Sequence, residues 1–250
     1  MPIQKTEGIL LRRQDLRETS ILLTFYTRDF GKIKGIVRGV RGGGRALSAG
    51  AAYEIFALDE IVFYERKNRD IFTVSQCDLA NYFNPIRASL DKLSYASYIV
   101  ELLDSVTSLS DKNSEAFDLT LKSLDLLAGD SSPRRVGRIF EIKLLGLIGL
   151  MPNMTECANC GEVPGANPRF SLRHGGLICR KCLDTDKMAI SILPGTARYM
   201  EHIRSSSFER AAMVKVAAEV GRELERLLRR YLDYHIERRL KTVAFIKEVA

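Results

Sequence analysis

An α+β fold is predicted: an N-terminal five-stranded barrel followed by an all-helical domain into which a four-cysteine metal module is inserted. Three observations predict it. Residues 1–82 hold five strand-like runs, with no helical period between the early ones. After Asn84-Pro85, apolar residues recur every three or four positions. Four cysteines then stand in two pairs, Cys157-Ala158-Asn159-Cys160 and Cys179-Arg180-Lys181-Cys182.

The strand-like runs cover residues 3–13, 20–27, 31–40, 53–65 and 71–79, and are rich in β-branched and aromatic residues or alternate apolar with polar ones. Turn residues separate them at 15–18, 29–31, 42–44 and 68–70. Strands this short, following one another without helices, imply a small closed or nearly closed barrel. The five-stranded OB-fold is its commonest form. Cys77, in the last run, reads as a small core residue rather than a reactive thiol.

Leu90, Leu93, Ala96 (or Ser97), Val100 and Leu103 share one helical face, as do Phe117, Leu121, Leu124 and Leu127. A third helix opens near Pro133, with Ser131 or Ser132 available as a cap. Val136, Phe140, Leu144 and Leu147 form its apolar stripe, and Gly149 and Pro152 end it. Further helices are expected over residues 194–203 and 209–239. The predicted organisation is an OB-fold nucleic-acid-binding domain at 1–82, a helical domain at 83–152 and 187–250, and a four-cysteine zinc module at 153–186.

Two residues between the members of each cysteine pair let both thiolates turn onto one ion, and residues 161–178 are long enough to return the second pair to the first. Cys157, Cys160, Cys179 and Cys182 thus predict one structural Zn2+ ion with no open coordination position. Gly161 and Gly175-Gly176 suit the turns of a zinc ribbon or knuckle, with Phe170 and Leu172 beneath the metal. His174 is an alternative ligand that four thiolates make unnecessary. Arg169, Arg173, Arg180 and Lys181 are either DNA contacts or a solvated rim.

The formal charge of +7 and pI near 9.2 favour an anionic partner, and the distribution of charge is sharper than its total. Lys32, Lys34 and Arg38 fall at even spacing and share one face of the third strand, while Ile33 and Val37 face the other way. Arg28 precedes this strand, and Arg41 and Arg45 follow it in a glycine-rich loop. A barrel face beside a basic loop is suited to tracking phosphates. Tyr26 is the expected stacking surface, with Phe25 in the core. Glutamate at Lys32, Lys34 and Arg38 is expected to weaken binding and leave the fold intact. Arg66, Lys67 and Arg69 form a second, mixed cluster. Lys215, Arg222, Arg226 and Arg229 line one face of the last helix, as a solvated face or a DNA track. Arg134, Arg135 and Arg138 open the third helix against its dipole, a placement suited to holding an acidic peptide.

Several functions are not expected. No apolar run reaches the length of a membrane span; the longest, residues 144–151, is broken by glycines. The N-terminus has no export pattern, and cysteines at metal spacing fit a reducing cytosol. The stretch Gly39-Val40-Arg41-Gly42-Gly43-Gly44-Arg45 lacks the Gly-Lys-Ser/Thr ending of a nucleotide loop. His235-Ile236-Glu237 follows both cysteine pairs, whereas a zinc deaminase places His-x-Glu before a Pro-Cys-x-x-Cys. An enzyme is not expected.

The combination resembles a known family, the bacterial recombination mediator RecO. Thr6-Glu7-Gly8-Ile9-Leu10-Leu11, Glu18-Thr19-Ser20 and Gly31-Lys32-Ile33-Lys34-Gly35-Ile36-Val37-Arg38-Gly39 resemble the opening of its OB domain. Glu141, Leu144-Leu145, Gly149, Pro152, Cys157, Cys160 and Gly161, then Phe170, Gly175-Gly176 and Cys179 with Cys182, are similar to its zinc-bearing form. The resemblance implies binding of single- and double-stranded DNA, annealing of complementary strands and partnership with RecR. It also implies contact with the acidic C-terminal tail of single-stranded DNA-binding protein (SSB), help in loading RecA onto SSB-coated strands, and a nucleoid-associated cytoplasmic location. Lys32, Lys34 and Arg38 take the DNA contacts by matching the basic third strand, and Arg41 and Arg45 by charge alone. Arg134, Arg135 and Arg138 are assigned to the acidic-tail site. The alternative is a protein-directed adaptor that binds the SSB tail, with DNA affinity incidental.

Overall fold

The computed structural model describes residues 2–16, 19–39, 53–64, 70–165, 167–236 and 238–249. The chain forms two compact units, Met1–Gly137 with Leu240–Ala250, and Arg138–Arg239.

The first unit is built on a closed barrel. Strand β1 (Ile3–Leu16) pairs antiparallel with β2 (Ser20–Thr27) and with β4 (Leu58–Tyr64). Strand β3 (Gly31–Arg38) pairs antiparallel with β2 and parallel with β5 (Ile71–Asn81), which returns to β4. The order β1-β2-β3-β5-β4 is that of the OB-fold. Alternation turns Leu10, Ile21, Leu23, Phe25, Ile33, Ile61, Phe63 and Val74 into the core.

The fourth strand starts later than its apolar pattern predicts. Residues 53–57 form a tight turn in which Phe56 has φ 58° and its N–H donates to the Leu10 carbonyl. The Arg87 guanidinium, stacked 4.1 Å from the Phe56 ring and 3.9 Å from that of Tyr82, holds this left-handed conformation in place.

Helices α1 (Asn84–Arg87), α2 (Leu90–Val106) and α3 (Ser114–Ala128) follow, the last capped by Asn113 Oδ1, which accepts from the Ala116 N–H at 2.9 Å. They belong with the barrel, so the compact units do not divide at the change of period near residue 82. The reason lies in the α2–α3 connection. The Ser110 N–H donates to the Lys32 carbonyl at 2.9 Å, and Gly31, at φ +64°, lies so close that a Cβ would sit 2.1 Å from the Asp111 carbonyl oxygen. Only glycine fits there. Helix α8 (Thr242–Val249) packs on α2, and the Glu101 carboxylate caps it by accepting from the N–H groups of Lys241 and Thr242, both at 2.9 Å.

Helix α4 (Pro133–Leu147) begins at its predicted proline. The second unit takes up its later turns, the cysteine module, and helices α5 (Pro194–Ser205), α6 (Phe208–Met213) and α7 (Ala218–His235). The continuous helix expected over 209–239 is broken. Val214 and Ala217 adopt extended ψ values of 124° and 142°, where two β-branched valines flank Lys215. Leu224, Leu227, Leu228, Tyr231 and Leu232 face the core of this unit, and the Tyr231 hydroxyl donates to the Leu150 carbonyl at 3.1 Å. No described helix is long and apolar enough to cross a membrane.

Candidate metal centre and nucleic-acid interface

The cysteine module is a three-stranded sheet, β7-β6-β8, of β6 (Arg169–Ser171), β7 (Gly176–Ile178) and β8 (Ile190–Ser191), with a 3-10 turn over Arg180–Thr185. Each cysteine pair sits on a tight turn. The Gly161 N–H donates to the Cys157 carbonyl at 2.8 Å, with Gly161 at φ +76°, and the Cys182 N–H donates to the Cys179 carbonyl at 3.0 Å. The backbone hydrogen bond from the Ala158 N–H to the Leu177 carbonyl, 2.7 Å, ties the first turn to the strand that leads into the second.

The four Sγ atoms all lie within 4.8 Å of one another, and those of Cys160 and Cys179 are 3.7 Å apart. Thiolates about 2.3 Å from a tetrahedral ion stand close to that separation, so the four cysteines fit and can hold a metal ion. Burial pushes the Cys157 thiol up, but N–H groups of Cys179, Asn159 and Cys160 favour its thiolate more strongly and bring it down to about 6. The Asn159 amide also donates to Cys182 Sγ at 3.3 Å. His174 stays outside the set, with Nε2 3.1 Å from the Thr185 hydroxyl.

The apolar support differs from that predicted. Ile178, Ala189 and Leu183 pack around the cysteines, whereas Phe170 turns its ring edge-on to Tyr231, 5.7 Å away, and Leu172 is half-buried. Arg169 donates to the Ala189 carbonyl at 2.7 and 3.1 Å, and the exposed Lys181 pairs with Glu162 at 2.8 Å; Arg173 and Arg180 are the exposed arginines of the predicted rim.

On the barrel, strand register aligns Arg12, Thr24 and Lys34 across β1, β2 and β3, with Gln14, Leu22 and Ile36 next, then Leu16, Ser20 and Arg38. The row predicted on β3 is therefore real but unequal. Lys32, at its start, is buried: its ammonium donates to the Asp104 carbonyl at 2.8 Å and carboxylate at 3.2 Å, and to the Thr107 carbonyl. This corrects the expectation of an open contact, because the end of α2 covers that end of the strand. Arg12 pairs with the same Asp104. Together with Gln14, Thr24, Lys34 and Leu109 these groups line a pocket of about 200 Å³ that holds three cations and one carboxylate. Lys34 is half-buried at its rim, and Arg38 is exposed farther along the strand.

Arg28 is also committed within the first unit. Its guanidinium donates to Glu7 at 2.8 Å, pairs with Asp118, and stacks 4.5 Å from the Phe117 ring; the Glu7 hydrogen bond leads the causes that raise its pKa. Tyr26 is no stacking surface. It is fully buried, its hydroxyl donates to the Asn113 carbonyl at 3.3 Å, and burial pushes it up to about 12. Arg41, Arg45, Arg66, Lys67, Arg69 and Glu237 lie outside the described residues.

On α4, Arg134 is exposed and Arg135 half-buried, but Arg138 is not open to a partner. It donates to both oxygens of the buried Glu141 at 2.6 Å and pairs with Glu225 at 3.2 Å. Sequence reasoning missed Arg12. The Arg12-Arg13 doublet was visible, but which of the two joins the row of Thr24 and Lys34 depends on the register shift between Leu10 and Arg12.

Two family models account for nearly all of the chain: Recombination protein O N terminal matches residues 1–83, and Recombination protein O C terminal matches residues 87–244. The chain belongs to the RecO family of DNA repair proteins. The DNA repair protein RecO of Alkaliphilus metalliredigens is 33% identical over 94% of both chains. That of Desulforamulus reducens is 32% identical over 98% of this chain and 94% of the relative. The RecO protein of Acetivibrio thermocellus is 31% identical over 97% of this chain and 96% of its own. Both the barrel row and the cysteine cluster thus lie within RecO-matched sequence.

Proposed function

We propose that the chain is a non-enzymatic recombination mediator that binds single- and double-stranded DNA and anneals complementary strands. It would work with RecR in the bacterial cytoplasm, engage the acidic tail of SSB, and help load RecA onto SSB-coated DNA. The observation that carries this reading is the outer face of an OB barrel in a RecO-family chain, where Lys34 and Arg38 lie with no ion pair among the described residues. Cations on such a face draw in phosphates and release their counterions. The same charge reduces the repulsion between two backbones, so complementary strands meet and pair without fuel.

Lys32 and Arg12 support this surface rather than lead it, since Asp104 shares their charge. The ion proposed for the four cysteines is one Zn2+, which suits an all-thiolate tetrahedron and supplies structural bracing when bound.

The test is binding of a labelled single-stranded oligonucleotide by the Lys34→Glu/Arg38→Glu chain. Affinity is expected to fall at least about tenfold at low salt, with a shallower salt dependence, by about 1.4 for two contacts at about 0.7 each. Unchanged affinity would overturn the proposal.

A further inference from the structure

Helix α7 in the second unit is strongly two-sided. Leu224, Leu227, Leu228, Tyr231 and Leu232 are buried, and Arg222, Arg226 and Arg230 are exposed on the opposite face. The row differs from the one its sequence suggested: Lys215 lies before the helix, and Arg229 pairs with Asp233, so Arg230 continues the series.

The acids of this helix are largely committed elsewhere. Glu223 accepts from the Leu193 N–H at 2.8 Å and from the Thr196 hydroxyl, fastening the start of α5. Glu225 pairs with Arg138 at 3.2 Å, and Asp233 with Arg229. Glu219, in the first turn, is exposed. No described carboxylate makes an ion pair with Arg222, Arg226 or Arg230. Like charges four residues apart destabilise a helix, and no ion pair among the described residues offsets them. The unit thus keeps a row of exposed arginines with no ion pair among the described residues.

The chemistry of that row is specific. Its arginines step about 6 Å along the axis, the order of the separation between neighbouring phosphates on one strand. Each guanidinium presents a planar fork that suits phosphate oxygens. No large apolar side chain is exposed between Arg222 and Arg230, so the face fits a repeating anion better than the mixed side chains of a peptide.

We infer that the Arg222–Arg226–Arg230 face of α7 is a second nucleic-acid backbone site, independent of the barrel row. The inference rests on the DNA-binding reading above and deepens it. One chain then holds two strands by separate surfaces, each in its own compact unit, as annealing requires.

The test uses the full chain with Arg222→Glu/Arg226→Glu/Arg230→Glu, and the corresponding glutamine triple should glutamate disturb folding. Annealing of two complementary oligonucleotides is expected to slow at least about tenfold, and its salt dependence to fall by about 2, three contacts at about 0.7 each. Affinity for one single strand should change less than about threefold, because the barrel row is untouched. Annealing at the unsubstituted rate overturns the inference. So does a loss of single-strand affinity as large as in the Lys34→Glu/Arg38→Glu chain, which would make both rows one site. Lost affinity for an acidic peptide with annealing preserved would mark a protein-directed face and also overturn it. Failure of the underlying reading looks different: the Lys34→Glu/Arg38→Glu chain would then bind a single strand at full strength.

Discussion

The barrel and the cysteine module both enclose polar groups, and they balance them by opposite means. In the barrel unit, Lys32 and Asp104 neutralise each other, and the barrel itself is a ring of five paired strands around a continuous apolar core. The module has three strands of two or three residues and a core of little more than its own cysteines. As metal ligands the four cysteines would carry more negative charge than the neighbouring Lys181 can balance, since that lysine is exposed and already paired with Glu162. The barrel is built around its own apolar core, whereas the module's stability is expected to rest on the ion proposed for its four cysteines.

Removing the ion gives the largest expected contrast. Structural zinc in small domains contributes on the order of 10 kcal/mol to local folding. A chelator, or Cys157→Ser, should abolish hydrogen-exchange protection over residues 153–186 while the barrel strands keep theirs. Because Phe170 packs on Tyr231 within the same unit, part of α7 should loosen as well. Module amides that remain protected after complete metal removal would show that the short strands suffice, and the contrast would disappear.

A smaller effect separates two lysines two residues apart. Lys32→Glu places a second carboxylate against the buried Asp104 and removes the partner of two backbone carbonyls. Breaking a buried pair in this way costs about 3–5 kcal/mol. Lys34→Glu, at the pocket rim, should stay within about 0.5 kcal/mol of the parent. Urea midpoints for the two variants measure the difference, and equal midpoints would mean that the Asp104 site is not balanced as described. The expectation that glutamate at all three β3 cations leaves the fold intact is therefore narrowed to Lys34 and Arg38.

These two lysines also mark where sequence reasoning reaches its limit. Alternation along β3 correctly puts Lys32, Lys34 and Arg38 on one face, because a strand's period is a local property. What covers that face is not local: Asp104 and Thr107 arrive from more than seventy residues away. The same holds for Tyr26 beneath Asn113 and for the pairing of Arg138 with Glu225. The gathering of the four cysteines was legible because CxxC spacing fixes two turns by itself, and β6–β7 pairing then joins them; the apolar residues beneath them were not. The break at 214–217 was not, since a helical apolar period continues across it.

The last contrast lies inside the barrel, where one buried carboxyl has no opposite charge at all. Asp59 is fully buried on β4, and neither oxygen has a hydrogen-bond donor of the N–H or O–H kind. Burial pushes its carboxyl up to about 8, and the nearby Cys77 thiol only partly opposes this; burial pushes Cys77 up as well and leaves it inert at neutral pH. The folded state thus holds a proton that the unfolded chain releases near pH 3.9. Its contribution is fully present below that pH, declines as pH rises, and is gone above about 8. Between pH 5 and 7 the loss is about 2–3 kcal/mol, one proton over two pH units. Asp59→Asn cannot ionise, so its stability relative to the parent should improve by that amount from pH 5 to 7. Denaturation midpoints at the two pH values measure it. A parent and variant that move in parallel would mean that Asp59 is already ionised in the folded barrel, and that this unit tolerates an unbalanced charge as the thiolate module cannot.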